Sequence, residues 1–159
     1  MLIFAVLIYA AAMTAANLLV SAFGPIISPL NSFVLIGIDL ALRDWLHVRI
    51  SQARMLVLIV ITGGITYALN PSAGQIAAAS ALSFTAAALA DWVVFQRMQG
   101  SWLSRSIGSN VAGAFVDSLL FPALAFGALM PHIVAMQFAA KVAGAAVWSL
   151  ALSKKKAAA

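Results

Sequence analysis

Cysteine is absent from the 159 residues, and so is glutamate. The first absence excludes a disulfide framework, a thiolate metal site and a cysteine nucleophile. The second leaves Asp39, Asp44, Asp91 and Asp117 as the only side-chain carboxylates. Charge of either sign is scarce, at 8% of residues, where a soluble domain carries about 25%. HExxH, GxSxG and Walker motifs are missing too, and nothing argues for an enzyme, a metal or a cofactor. What is present is apolar: 64% of the chain is hydrophobic and its mean hydropathy is +1.06. Such a chain cannot be covered by water, so it is an all-α, polytopic membrane protein. A span needs about 20 apolar residues, which leaves room for five or six helices and no soluble domain. The net charge of +5 reflects membrane topology and points to no nucleic-acid partner. The apolar N-terminus has no charged leader and reads as a first transmembrane helix, not a removed signal.

Six spans follow from the apolar runs and their breaks. Helix 1 covers Leu2 to Phe23, with Ala11/Ala15 and Ala12/Ala16 as small pairs suited to close packing. GPIISPLN, residues 24–31, reads as a connection or a re-entrant piece, because Pro25 and Pro29 stop helical propagation. Helix 2 is expected over Ser32 to Val48, helix 3 over Met55 to Leu69, and helix 4 over Gln75 to Phe95. Helix 5 is expected over Ser106 to Leu129, with a kink at Pro122, and helix 6 over Ile133 to Leu152. Residues 1–153 form one transmembrane domain, and 154–159 a basic cytoplasmic tail.

The connections after helices 1, 3 and 5 lack Lys and Arg. Those after helices 2 and 4 hold Arg49, Arg54, Arg97 and Arg105, and the C-terminus holds Lys154, Lys155 and Lys156. The positive-inside rule places both termini in the cytoplasm. LRDWLHVR (Leu42 to Arg49) resembles LADWVVFQR (Leu89 to Arg97), the trace of a parallel helix-pair repeat.

Polar groups at bilayer depth mark function by default, because an ionisable residue there costs about 2.5–3.5 kcal/mol. Asp39, Asp117 and Lys141 are such groups, Asp91 lies about one turn from the cytoplasmic end of its helix, Arg43 follows Asp39 at i,i+4, and Asn17 and Asn110 add amides at helix depth. The competing reading is structural. Asp39 and Arg43 stand at i,i+4 and can pair, and Lys141 can pair one more carboxylate. One of Asp91 and Asp117 is then left over, either protonated or facing a ligand. The amides can equally be interhelical hydrogen bonds. Phe84, Trp92 and Phe121 can stack on a flat ligand, although core packing and an interfacial aromatic belt account for them as well. Asp44 with Arg49 reads as a solvated helix end, and His47 and His132 fall at opposite faces, too far apart for a shared metal.

Several stretches together carry a resemblance: AANLLVS in helix 1, DLALR from Asp39 to Arg43, LADWVVFQR, the VDSLLFPALAFG run around Asp117, and QFAAKV around Lys141. The chain resembles the VUT family, the queuosine precursor transporters that import 7-cyano-7-deazaguanine and related bases. The resemblance implies an inner-membrane importer of a 7-deazaguanine base. It implies a substrate site made of Asn17, Asp39, Arg43, Asp91, Asn110, Asp117 and Lys141. Within such a site one Asp would grip the base, and another that titrates would couple import to protons. The bilayer and a small-molecule base are the expected partners, with a homodimer left open. The rival is a substrate-binding subunit of an energy-coupling-factor importer, another small six-helix protein.

Overall fold

A computed structural model describes residues 2–47 and 49–157, and the side chains of residues 47, 52 and 154–157 lie outside that description. Val48, expected to end the second helix, the His47 side chain and the lysine side chains of the basic tail therefore fall outside the described residues.

Every described element is helical. Helix α1 spans Leu2–Phe23, as its apolar run requires. Gly24 then takes φ +69°, a left-handed turn that a side chain would resist. A 3₁₀ turn over Gly24–Ile27 leads into α2, residues 28–47. Helix α2 starts earlier than the sequence suggests. Pro29 sits in its first turn, where the missing N–H costs nothing, so it opens a helix where the sequence was read as a stop. Within α2 the stretch Ser32–Ile36 is π-helical before α-helix resumes over Gly37–His47. The α1–α2 run folds back on itself: Asn31 Nδ2 donates to the Ala16 carbonyl at 3.0 Å.

Helix α3, Gln52–Leu69, begins with Ser51 accepting from the Arg54 amide. A 3₁₀ turn at Pro71–Ala73 separates it from α4, Gly74–Arg97. Helix α5, Trp102–Phe126, is capped by Ser101 and continues through Pro122 to a left-handed Gly127. The expected loop up to Arg105 is thereby shortened. Arg105 donates to the Phe95 carbonyl at 2.9 Å and closes the end of α4. Helix α6 spans Pro131–Ala157.

Four helical runs are long and apolar enough to cross a membrane: Leu2–Leu46, Pro71–Arg97, Trp102–Phe126 and Pro131–Ser153. Ala53–Leu69 is a shorter apolar helix. Helices α4 and α5 form the most extensive pair, α6 packs on α5 and α2, and α1 packs on α2 and α3. The second half of α2 is enclosed on nearly every side, with Asp39, Leu40, Ala41, Arg43, Asp44 and Leu46 all buried. The outward faces are apolar: Phe4, Ile26, Val60, Leu82 and Phe115 are each more than half exposed. Polar side chains go inward and apolar ones outward, as a bundle in lipid requires.

Candidate functional site

All four carboxylates and two of the cations are buried, although most of the sequence around them could be alanine and leucine. Helix α6 brings Lys141 against α5, where its Nζ lies 2.7 Å from Asp117 Oδ2. It also donates to Gln137 Oε1 at 2.9 Å and Ser118 Oγ at 3.2 Å. The ammonium is therefore fully used, but Asp117 is only half used: Oδ1 meets no donor among the described residues.

Asp117 and Lys141 line a cavity between α1, α2, α4, α5 and α6. Asn17, Phe84 and Phe121 line it as well, so five of the expected site residues converge there. Asn17 also reaches Thr66 Oγ1 of α3 at 3.4 Å. The cavity adds Ser28, Asn31, Ser80 and Gln137. Ser28 and Asn31 escape a sequence reading that ends helix 1 before GPIISPLN. The signal that could have found them is proline as a helix opener. Gln137 shares a helix face with Lys141 at i,i+4, which the spacing does show. Among the described residues Asn31 Oδ1, Gln137 Nε2 and Ser28 Oγ have no hydrogen-bond partner. The cavity volume is about 20 Å³, room for about one water molecule.

Asp39 lies next to that cavity and faces Arg43, Asp117 and the Tyr9 hydroxyl. The expected Asp39–Arg43 contact does not form: no ion pair within 4.0 Å joins them, and neither Asp39 oxygen is hydrogen-bonded among the described residues. Arg43 instead turns towards α4, where Nη1 donates to the Phe84 carbonyl at 3.5 Å. A side chain at i+4 is free to leave its partner when another helix supplies a carboxylate, here Asp91. Arg43 also lines a largely apolar groove between α3 and α4 together with Trp92, which is thus away from the Asp117 cavity.

Asp91 and Asn110 belong to a second polar cluster, and Asp44 is at its centre. Asp44 is fully buried, which corrects its reading as a solvated helix end. Its Oδ2 accepts from Ser106 Oγ at 2.5 Å and from Asn110 Nδ2 at 2.9 Å. Ser106 touches Ser149 Oγ of α6 at 3.1 Å. Asp91, on α4, faces Asp44. Arg49 does not pair Asp44. It stacks on the Trp45 ring at 3.6 Å and donates to the Trp45 carbonyl at 2.7 Å, a cation closing a helix end. No group of three or more His, Asp or Glu side chains among the described residues could hold a metal ion.

The family model described as "Putative vitamin uptake transporter" matches residues 1–152. No curated protein and no solved structure matches the chain.

Proposed function

The chain belongs to the Vut family of uptake transporters, multi-pass proteins of the plasma membrane, and from that premise we propose that it imports a planar 7-deazaguanine base. The base would bind in the cavity between Asp117, Lys141, Asn17, Asn31 and Gln137. One observation carries this reading: the unpartnered atoms of the cavity are complementary to a guanine-like edge. Asp117 Oδ1 and Asn31 Oδ1 are acceptors, and Gln137 Nε2 is a donor. The base offers a ring N–H and an exocyclic amine to the acceptors, and a carbonyl to the donor. Phe84 and Phe121 supply aromatic surface for the flat ring. A cavity of about 20 Å³ cannot hold the base without opening, so a transport cycle needs a second, wider state. Opening along α2 would bring Asp39 and Arg43 to the base. Asp91, Asn110 and Trp92 lie away from it, and the proposal leaves them out of the base-contacting set.

We further propose six spans with both termini cytoplasmic, the α1–α2 run crossing twice and α3 crossing as a short span. Its 17-residue apolar stretch, Ala53–Leu69, reaches the lower end of the spanning range.

Direct binding to the purified protein tests the base. A panel of deazaguanines should include a ligand that raises the melting temperature. Asp117→Asn should weaken that ligand about 10–100-fold, the equivalent of one charged hydrogen bond of about 1.5–3 kcal/mol. If no panel member binds, the base assignment is wrong. Uptake by this chain alone, in cells without an energy-coupling ATPase, separates a standalone carrier from a substrate-binding subunit.

A further inference from the structure

We propose that Asp44 and Asp91 form a second site, separate from the base cavity, which binds one proton between their carboxylates and couples it to transport. The coupling rests on the import reading above; the proton site does not. Each aspartate belongs to one of the two Asp-Trp segments, Leu42 to Arg49 and Leu89 to Arg97, and both pack on one face of α5, Asp44 through Ser106 and Asn110 and Asp91 beside Gly113, where their carboxylates interact directly. They are 0% and 1% exposed. Asp44 Oδ2 is already occupied by Ser106 and Asn110. Asp44 Oδ1 and both Asp91 oxygens meet no donor among the described residues. Two facing acceptors become a hydrogen bond only when one of them carries a proton.

The charge balance points the same way. Among the described residues, four buried carboxyls face two buried cations, Arg43 and Lys141. Lys141 is committed to Asp117. Arg43 is left to serve Asp39, Asp44 and Asp91, and it contacts none of them within 4.0 Å. Full ionisation would leave uncompensated negative charge in a low-dielectric interior, which is strongly unfavourable. The groups facing the pair are Arg43 from α2, and Ser106 and Asn110 from α5, with Ser149 of α6 behind Ser106. None of the three hydroxyl and amide groups can neutralise a carboxylate. Asn110 Oδ1, on a residue 1% exposed, is a further acceptor without a partner.

Arg43 links this site to the base cavity. A methyl group built on Gly113 would lie 3.3 Å from Asp91 Cβ and 3.5 Å from Arg43 Nη2, so the bare glycine lets α5 close over both. Arg43 also interacts electrostatically with Asp39, and Asp39 with Asp117. Loss of the proton draws Arg43 towards Asp44 and Asp91 and away from Asp39, which makes the wall of the base cavity more negative. Binding of base and proton is then mutually dependent, as linkage requires. The proton comes from water and returns to water, and no other bond changes.

Infrared spectroscopy of the purified full chain without substrate tests the site. The wild type should show a protonated-carboxyl C=O stretch at neutral pH that disappears as pH rises. Asp44→Asn and Asp91→Asn, close to isosteric, should each lose the same component of that band, one that Asp39→Asn retains, while keeping a cooperative thermal transition. In proteoliposomes at constant sodium, accumulation of 7-cyano-7-deazaguanine should change about tenfold per unit of imposed pH gradient for one proton per base. In Asp91→Asn it should not respond to the gradient. A band unchanged in both variants, no band in the wild type, or accumulation that follows sodium and not pH would each overturn the proposal. If no base is taken up but the band is lost in either variant, the base assignment fails and the proton site stands.

Discussion

Lys141 holds Asp117 Oδ2, Gln137 Oε1 and Ser118 Oγ at once, so replacing it does two separable things. Lys141→Met leaves a carboxylate buried without its cation and should cost about 3–5 kcal/mol of stability. Adding Asp117→Asn removes the stranded charge and should recover most of that loss, while base binding stays weakened in both variants. Thermal unfolding in detergent reads the first effect, and ligand-induced shifts read the second. These two residues were legible in the sequence because each is a lone charge deep in an apolar helix. Asp44 was not. It sits among Arg43, His47 and Arg49, a density of charge that signals a helix end in water. Its burial depends on Ser106 and Asn110, 62 and 66 residues away, and no local pattern announces such partners. The Arg43–Asp39 pairing failed for the related reason that i,i+4 proximity permits a contact without requiring it.

Helices α2 and α6 approach each other closely at two glycines. A Cβ on Gly37 would lie 2.8 Å from the backbone of Gly144, and one on Gly144 would collide with the Phe33 carbonyl. Gly144→Ala must therefore push two backbones apart and should cost about 1–3 kcal/mol. Gly64 has nothing within 4 Å of the same position. Gly64→Ala should be neutral, or stabilise by up to about 1 kcal/mol through helix propensity. Melting temperatures of the two variants in one detergent check the contrast. The positions of the helices were legible from apolar runs and turn residues, and α1 falls on its expected bounds. Their starts were less so. Helices α2, α3 and α5 each begin about a turn early, at Ser28, Gln52 and Trp102. The chain before each one is polar or proline-containing, and reads as loop until its capping role is seen. The π-helical turn at Ser32–Ile36 has no counterpart in the hydrophobic pattern at all.

At the scale of the whole molecule, the arginines of the proposed cytoplasmic side occupy the α2–α3 and α4–α5 ends. The lack of cysteine makes orientation measurable without background. Ala128→Cys, exposed between α5 and α6, should react with an impermeant thiol reagent added to intact cells. Gln99→Cys, exposed between α4 and α5, should react only after the membrane is opened. The reverse pattern would invert the topology. The enclosure of α2 bears on biogenesis. This helix leaves the ribosome ahead of α4, α5 and α6, carrying Asp39, Arg43 and Asp44 before the residues that will shelter them exist. Each such charge taxes lateral entry into lipid by about 2.5–3.5 kcal/mol. With the α1–α2 run crossing twice, as proposed, its nascent hairpin would not settle in the bilayer by itself. It must linger beside the insertion machinery until its neighbours are synthesised, so a ribosome stalled before α4 should leave an intermediate open to proteolysis.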